Sequence, residues 1–199
     1  MRTGFSRVAL LLLLAATPVA AQNTADAESF LTAVVKRDGA EVQALLEKNP
    51  AVINNRNGKG KTALVTTILR KDETWSRVFL NNGADPNLAE RDGDTPLIAA
   101  ARVGFLDGVT LLLSKGAKID GTNKMGETAL IVAVQQRQLP MVELLLARGA
   151  NPDKTDSAQG YSARDYAKRD TRAREILATI EKAAKKPEPV KSLDDFKLK

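Results

Sequence analysis

The sequence predicts an all-α repeat solenoid built from helix-loop-helix units, with about three clear repeats and two degenerate capping repeats. Three observations predict it. Gly60-Lys61-Thr62-Ala63-Leu64, Gly93-Asp94-Thr95-Pro96-Leu97 and Gly126-Glu127-Thr128-Ala129-Leu130 share one pattern, and their threonines stand 33 residues apart. A second marker keeps the same step: Asn82-Gly83-Ala84, Lys115-Gly116-Ala117 and Arg148-Gly149-Ala150, each behind a Leu-rich run. Between the markers, apolar residues recur at helical spacing, as in Leu97, Ala100 and Ala101 and again in Val109, Leu112 and Leu113. One such unit cannot bury its own stripe, so stacking must supply the core.

Taken along the chain, residues 1–21 read as an address and not as part of the fold. Arg2 and Arg7 make a basic start, residues 8–16 are an apolar run, and Thr17-Pro18 break it. Val19-Ala20-Ala21 then offers small residues before Gln22. This is the layout of a secretory signal peptide. The run is far short of the roughly 20 residues a membrane span needs. No Cys follows for a lipid anchor. The mature chain is therefore expected to start at Gln22 and to be exported.

The repeat domain is expected over residues 22–183, in units at about 25–57, 58–90, 91–123, 124–156 and 157–183. The first unit carries Ala33, Val42, Leu45-Leu46 and Asn49-Pro50-Ala51-Val52-Ile53-Asn54 but lacks the terminal Gly. In the third unit Thr95 can cap a first helix, Pro96 suits its first turn, and Gly104 is free to take positive φ in the loop. Its second helix is expected over residues 106–115, stopped by Gly116. In the last unit Gly160-Tyr161-Ser162-Ala163 repeats the start one residue late, and Ile176, Leu177 and Ile180 supply a second helix. Atypical ends are expected where a solenoid must show a polar outer face. Residues 184–199 read as a disordered basic tail, charged and Pro-containing.

These residues resemble ankyrin repeats, with a Gly-x-Thr-Pro-Leu start and a Leu-Leu-x-x-Gly-Ala end. The leader makes the whole similar to an exported, signal-peptide-bearing bacterial ankyrin repeat protein. The resemblance implies that the polar segments between units form β-hairpin-like fingers. It departs from the family at three places. The His that usually follows Thr-Pro-Leu is replaced by Val65, Ile98 and Ile131. Lys71 and Arg137 stand where Gly104 stands, which predicts strained loops there. Trp75, Phe79 and Thr66-Thr67 make the first clear repeat the least regular.

Composition removes most chemistry. His and Cys are both absent, which excludes a His general base, a thiol nucleophile, a disulfide and a Cys/His zinc site. Gly58-Lys59-Gly60-Lys61-Thr62 ends like a phosphate-binding loop, but its required first Gly is Asn55 and no strand pattern precedes it. Asp92-Gly93-Asp94 lacks the later ligands of a Ca²⁺ loop, since Pro96, Leu97 and Val103 hold those slots. Both read as fingers. Trp75 reads as a packing residue, although an exposed Trp would make a strong interface anchor. The net charge of +6 divides by region: Arg2 and Arg7 carry two, and residues 182–199 have six Lys against three acids. One positive charge is left for the array, and with aromatics at 4% nucleic acid is not expected as a partner.

No enzyme activity, cofactor or metal is expected. The resemblance implies a protein-binding module whose partner docks on a concave face made by finger tips and first helices. Carried over position by position, that face holds Lys59, Lys61, Leu69 and Arg70, then Arg91, Asp92, Asp94, Arg102 and Val103, then Lys124, Met125, Glu127, Gln135 and Gln136. Its mixed charge and scattered apolar residues suit a protein surface. The expected setting is the periplasm of a Gram-negative bacterium, with secretion as the alternative, and the expected state is a monomer. A second reading is a structural protein of the cell envelope, its basic tail touching anionic wall polymer or lipid.

Overall fold

The computed structural model describes residues 19–184, with side chains from residue 24 onward. The expected tail lies outside the described residues but for Ala184, and so does the expected leader but for its last three positions. Ten α-helices pair into five hairpins: α1 (Val19–Lys36) with α2 (Gly39–Lys48), α3 (Ala63–Leu69) with α4 (Glu73–Asn81), α5 (Pro96–Val103) with α6 (Leu106–Ser114), α7 (Ala129–Gln135) with α8 (Leu139–Ala147), and α9 (Ala163–Arg169) with α10 (Arg174–Ala184). A 3-10 turn, Pro50–Asn54, follows α2. The hairpins stack in order: first helices pack on first helices from α1 to α9, and second helices pack from α4 to α10. Among the described residues there are no strands, only isolated antiparallel bridges Thr122–Thr128 and Thr155–Ser162 at the finger bases.

The local sequence explains each start and stop. Thr62, Thr95, Thr128 and Ser162 each accept a backbone N–H from the third residue on, capping α3, α5, α7 and α9. Asp165 completes a capping box with Ser162. Pro96 opens α5 where its missing N–H costs nothing. Gly104 ends α5 at φ 67. Lys71 and Arg137 adopt φ 54 at the matching positions, so the predicted strain is present, and Arg37 at φ 59 adds a third case.

The core is one aliphatic seam. Val65, Ile98 and Ile131, the positions where the resemblance leads one to look for His, are all buried, so apolar packing stands in for the missing ring bridges. In the second hairpin Thr67 and Ser76 are buried; the Thr67 hydroxyl donates to the Leu64 carbonyl at 2.9 Å, and the Ser76 hydroxyl lies 2.7 Å from the Asp72 carbonyl and 2.9 Å from Thr67 Oγ1, with one proton to share between them. These hydroxyls are therefore satisfied and cost little. Phe79 is fully buried between Phe30 at 5.7 Å and Trp75 at 5.5 Å, centroid to centroid.

Candidate functional site

Two polar ladders of 33-residue step hold the fingers in register. In the first, Asn54 donates to the Gly83 carbonyl and accepts from Asp85 N, and Asn87 does the same with Gly116 and Lys118. Asp120 accepts from Asn151 N but has no N–H for Gly149; Lys154 Nζ donates to the Asp120 carbonyl beside it. The second ladder is the buried set Asn57, Glu90, Asn123 and Asp156. Asn57 and Asn123 each take two N–H bonds from their own finger, and Asp156 takes three. Glu90, one methylene longer, reaches back to Lys61 Nζ and to Thr62 N. Burial pushes the Glu90 carboxyl up against the pull of Lys61, while the Glu90 hydrogen bond raises the Lys61 ammonium.

The ladders run into the first helices. Asp94 accepts both Arg102 Nε and Nη2, at 3.0 and 2.8 Å, and also Asn123 Nδ2 at 3.0 Å. Glu127 accepts Asn123 Nδ2 at 2.8 Å and Gln135 Nε2 at 3.1 Å. Tyr166 donates to Asp156 at 2.6 Å; burial and that bond push the phenol up to about 12. Burial opposes ionisation of Asp156, yet the Tyr166 hydroxyl and the amides of Gln159, Gly160 and Tyr161 outweigh it and hold the carboxyl below the usual range. A connected polar network thus underlies the surface from the third unit to the fifth.

Above that network lie most of the residues that the sequence groups as a docking face. Lys59, Arg91, Asp92, Lys124 and Met125 stand exposed on finger tips, and Leu69, Arg70, Arg102, Gln135 and Gln136 stand exposed where first helices end. Lys61, Asp94 and Val103 are half-buried. Glu127 lies under the surface, and its carboxylate is spent on Asn123 and Gln135. Lys61 pairs with Glu90 and with Asp92, and Arg102 pairs with Asp94, so these charges hold the finger before they meet any partner. Arg70 donates to the Val35 carbonyl and Arg91 to the Gly58 carbonyl. Met125 keeps 50% of its surface exposed, Leu69 40% and Val35 51%, which makes Val35 an apolar contact on the end of α1 that sequence grouping omits. The same grouping misses both ladders. Their period was visible at Asn54, Asn87 and Asp120, but not their direction.

The two motif-like runs are fingers. Thr62 caps α3 through Val65 N, and Asp92 Oδ1 accepts Asp94 N in a tight turn. Among the described residues no group of three or more acidic side chains is placed to hold a metal ion. Among the same residues, no helix is long and apolar enough to cross a membrane.

Stacked hairpins carrying a row of fingers over a preorganised polar floor define a repeat scaffold with one extended face. Residues 68–156 match the family model for ankyrin repeats, in three copies. The fold is an all-α solenoid of ankyrin repeats, and the same hairpin plan extends to α1 on one side of the matched stretch and α10 on the other. Ankyrin repeats are in general protein–protein interaction modules, typically non-catalytic.

Proposed function

We propose that the protein is an exported, non-catalytic module that holds a protein partner on the face formed by its finger tips and first-helix ends, the concave face of ankyrin arrays. The observation that carries this reading is the division of labour at the fingers. Buried Asn57, Glu90, Asn123 and Asp156 fix the backbone, while the neighbouring Lys59, Arg91, Lys124 and Met125 stay exposed. A surface already fixed before binding loses less entropy on association. The layout of residues 1–21 supports export, and a periplasmic setting is the reading it favours.

The test is affinity capture from periplasmic extract with the protein and with a variant carrying Arg70→Glu, Met125→Glu and Gln136→Glu. Arg102 is left intact because it is tied to Asp94. Loss of roughly tenfold or more in capture is expected if these positions include anchors. Unchanged capture of every partner sinks the assignment of this face. Mass spectrometry of the protein recovered from the periplasm should place its first residue at Gln22; an intact Met1 would remove the export reading.

A further inference from the structure

The acids of the finger face are all engaged within the chain. Glu90 and Asp92 both take Lys61, and Asp94 takes Arg102 and Asn123. Glu127 takes Asn123 and Gln135, Asp156 takes three amides and the Tyr166 hydroxyl, and Asp165 takes Ser162. The cations are not used up in return. Among the described residues, Lys59, Arg70, Arg91 and Lys124 are exposed and form no ion pair. Arg70 and Arg91 rest on the Val35 and Gly58 carbonyls, which hold the guanidinium without cancelling its charge. The ends of the first helices, at positions 69–70, 102–103, 135–136 and 168–169, carry four cations and no acid. A favourable helix dipole accounts for a cation at a helix end. It does not account for Lys59, Arg91 and Lys124 on the finger tips. What this face has left for a partner is positive charge.

We propose that the partner is an acidic protein that lays an extended segment across the fingers, with a Glu or Asp at about every third position and apolar side chains between. The inference rests on the protein-binding reading above and adds the partner's charge and shape. The tip cations stand in one line. The Arg91 guanidinium reaches Gly58 beside Lys59 at 3.0 Å, and a Cβ on Gly93 would meet Lys124 Cγ at 2.8 Å. Successive hairpins are spaced by roughly 8–10 Å. An extended chain rises about 3.3 Å per residue, so about three residues carry it from one finger to the next. Exposed Leu69 and Met125 on the same face give the intervening side chains an apolar contact. A phosphate polymer has no use for them. Among the described residues no aromatic side chain stands exposed on these tips to stack a base. Complementary charge of this kind steers encounter and selects among partners.

The experiment measures fluorescence anisotropy of a labelled synthetic peptide of repeating Glu-Leu-Ser with the full chain. Binding is expected at about 0.1 M salt and should fall at least about tenfold at about 1 M, where the screening length drops from about 10 to about 3 Å. The double variant Lys59→Glu, Lys124→Glu should bind at least about tenfold more weakly with unchanged circular dichroism, since neither side chain holds the fold. Lys48→Glu with Lys115→Glu, at the ends of α2 and α6, should bind like the parent. The same peptide with Gln in place of Glu should not bind. No binding of the Glu peptide, or equal binding of the Glu and Gln peptides, overturns the proposal. A single-stranded DNA oligonucleotide bound more tightly than the peptide, and lost in the Lys59 and Lys124 variant, also overturns it and assigns the cations to phosphate. Capture from extract separates this failure from that of the face itself. Partners lost with Arg70→Glu, Met125→Glu and Gln136→Glu but kept with Lys59→Glu and Lys124→Glu would leave the face standing and remove its acidic partner.

Discussion

Arg37, Lys71 and Arg137 sit in the left-handed region that glycine fills at Gly104. For a side-chain-bearing residue that conformation costs about 1–2 kcal/mol. Two of the three have a compensating contact. Arg37 pairs with Asp72, the N-cap of α4, and Arg137 pairs with Asp170 at 2.5 Å, so each arginine ties its loop to that of the next hairpin. Among the described residues the Lys71 side chain has no ion pair or hydrogen bond, because Phe105 follows Gly104 where the next acid would stand. Lys71→Gly should therefore stabilise the protein by roughly 0.5–1 kcal/mol, the relief of strain less the added freedom of the unfolded chain. Arg137→Gly should gain less, because it also breaks the tie to Asp170. Urea midpoints at equal slope decide between them, and a larger gain for Arg137→Gly would refute the role given to its ion pair. The strain at Lys71 and Arg137 was legible in the sequence, since the 33-residue alignment set both against Gly104. The compensating pairs were not, because they depend on how far a guanidinium reaches across a loop.

At the scale of one element, the finger shows what a repeat motif hides. Gly93 has φ 94, which is reason enough for glycine. A Cβ on it would also lie 2.6 Å from the backbone N of Lys124 in the next finger. The equivalent site on Gly126 meets the backbone of Ser157. Gly116 has nearly the same φ, 86, with nothing within 4 Å of its virtual Cβ. Gly116→Ala should thus cost about 1 kcal/mol, the backbone penalty alone. Gly93→Ala should cost clearly more, about 2 kcal/mol or above, because backbone must shift as well. Equal losses in denaturant melts would mean that the fingers yield freely and are not stacked rigidly. The motif itself was readable, and so were the Thr caps, because both use residues of one hairpin. The buried ladder was not, since its four positions hold Asn, Glu, Asn and Asp and no single residue type marks them. For the same reason sequence grouping put Glu127 among exposed contacts, while the fold turns it inward onto Asn123 and Gln135.

At the scale of the whole molecule, each hairpin touches only its neighbours, so stability is a sum of local terms and interface terms. Those interfaces are unequal. All of α7 from Ala129 to Val134 is buried, flanked by α5 and α9. α2 buries Val42 alone and stands apart from α4 across a groove. Among the described residues the end hairpins have a neighbouring hairpin on one side only, and their helices carry charged residues, among them Glu28 and Lys36 in α1 and Arg174, Glu175 and Lys182 in α10. Opening should therefore begin at the first hairpin and spread inward, with no need for the centre to unfold. Hydrogen exchange read by mass spectrometry should show the amides of α2 exchanging fastest of the helices, those of α10 later and those of α5 and α7 last. The ends are set apart by one contrast: α10 packs against both α8 and α9, while α2 rests on α1 and the 3-10 turn and meets α4 more loosely, where the Trp75 ring lies by Gly39. One common exchange rate for all ten helices would show a single cooperative unit and remove the nearest-neighbour account of this solenoid.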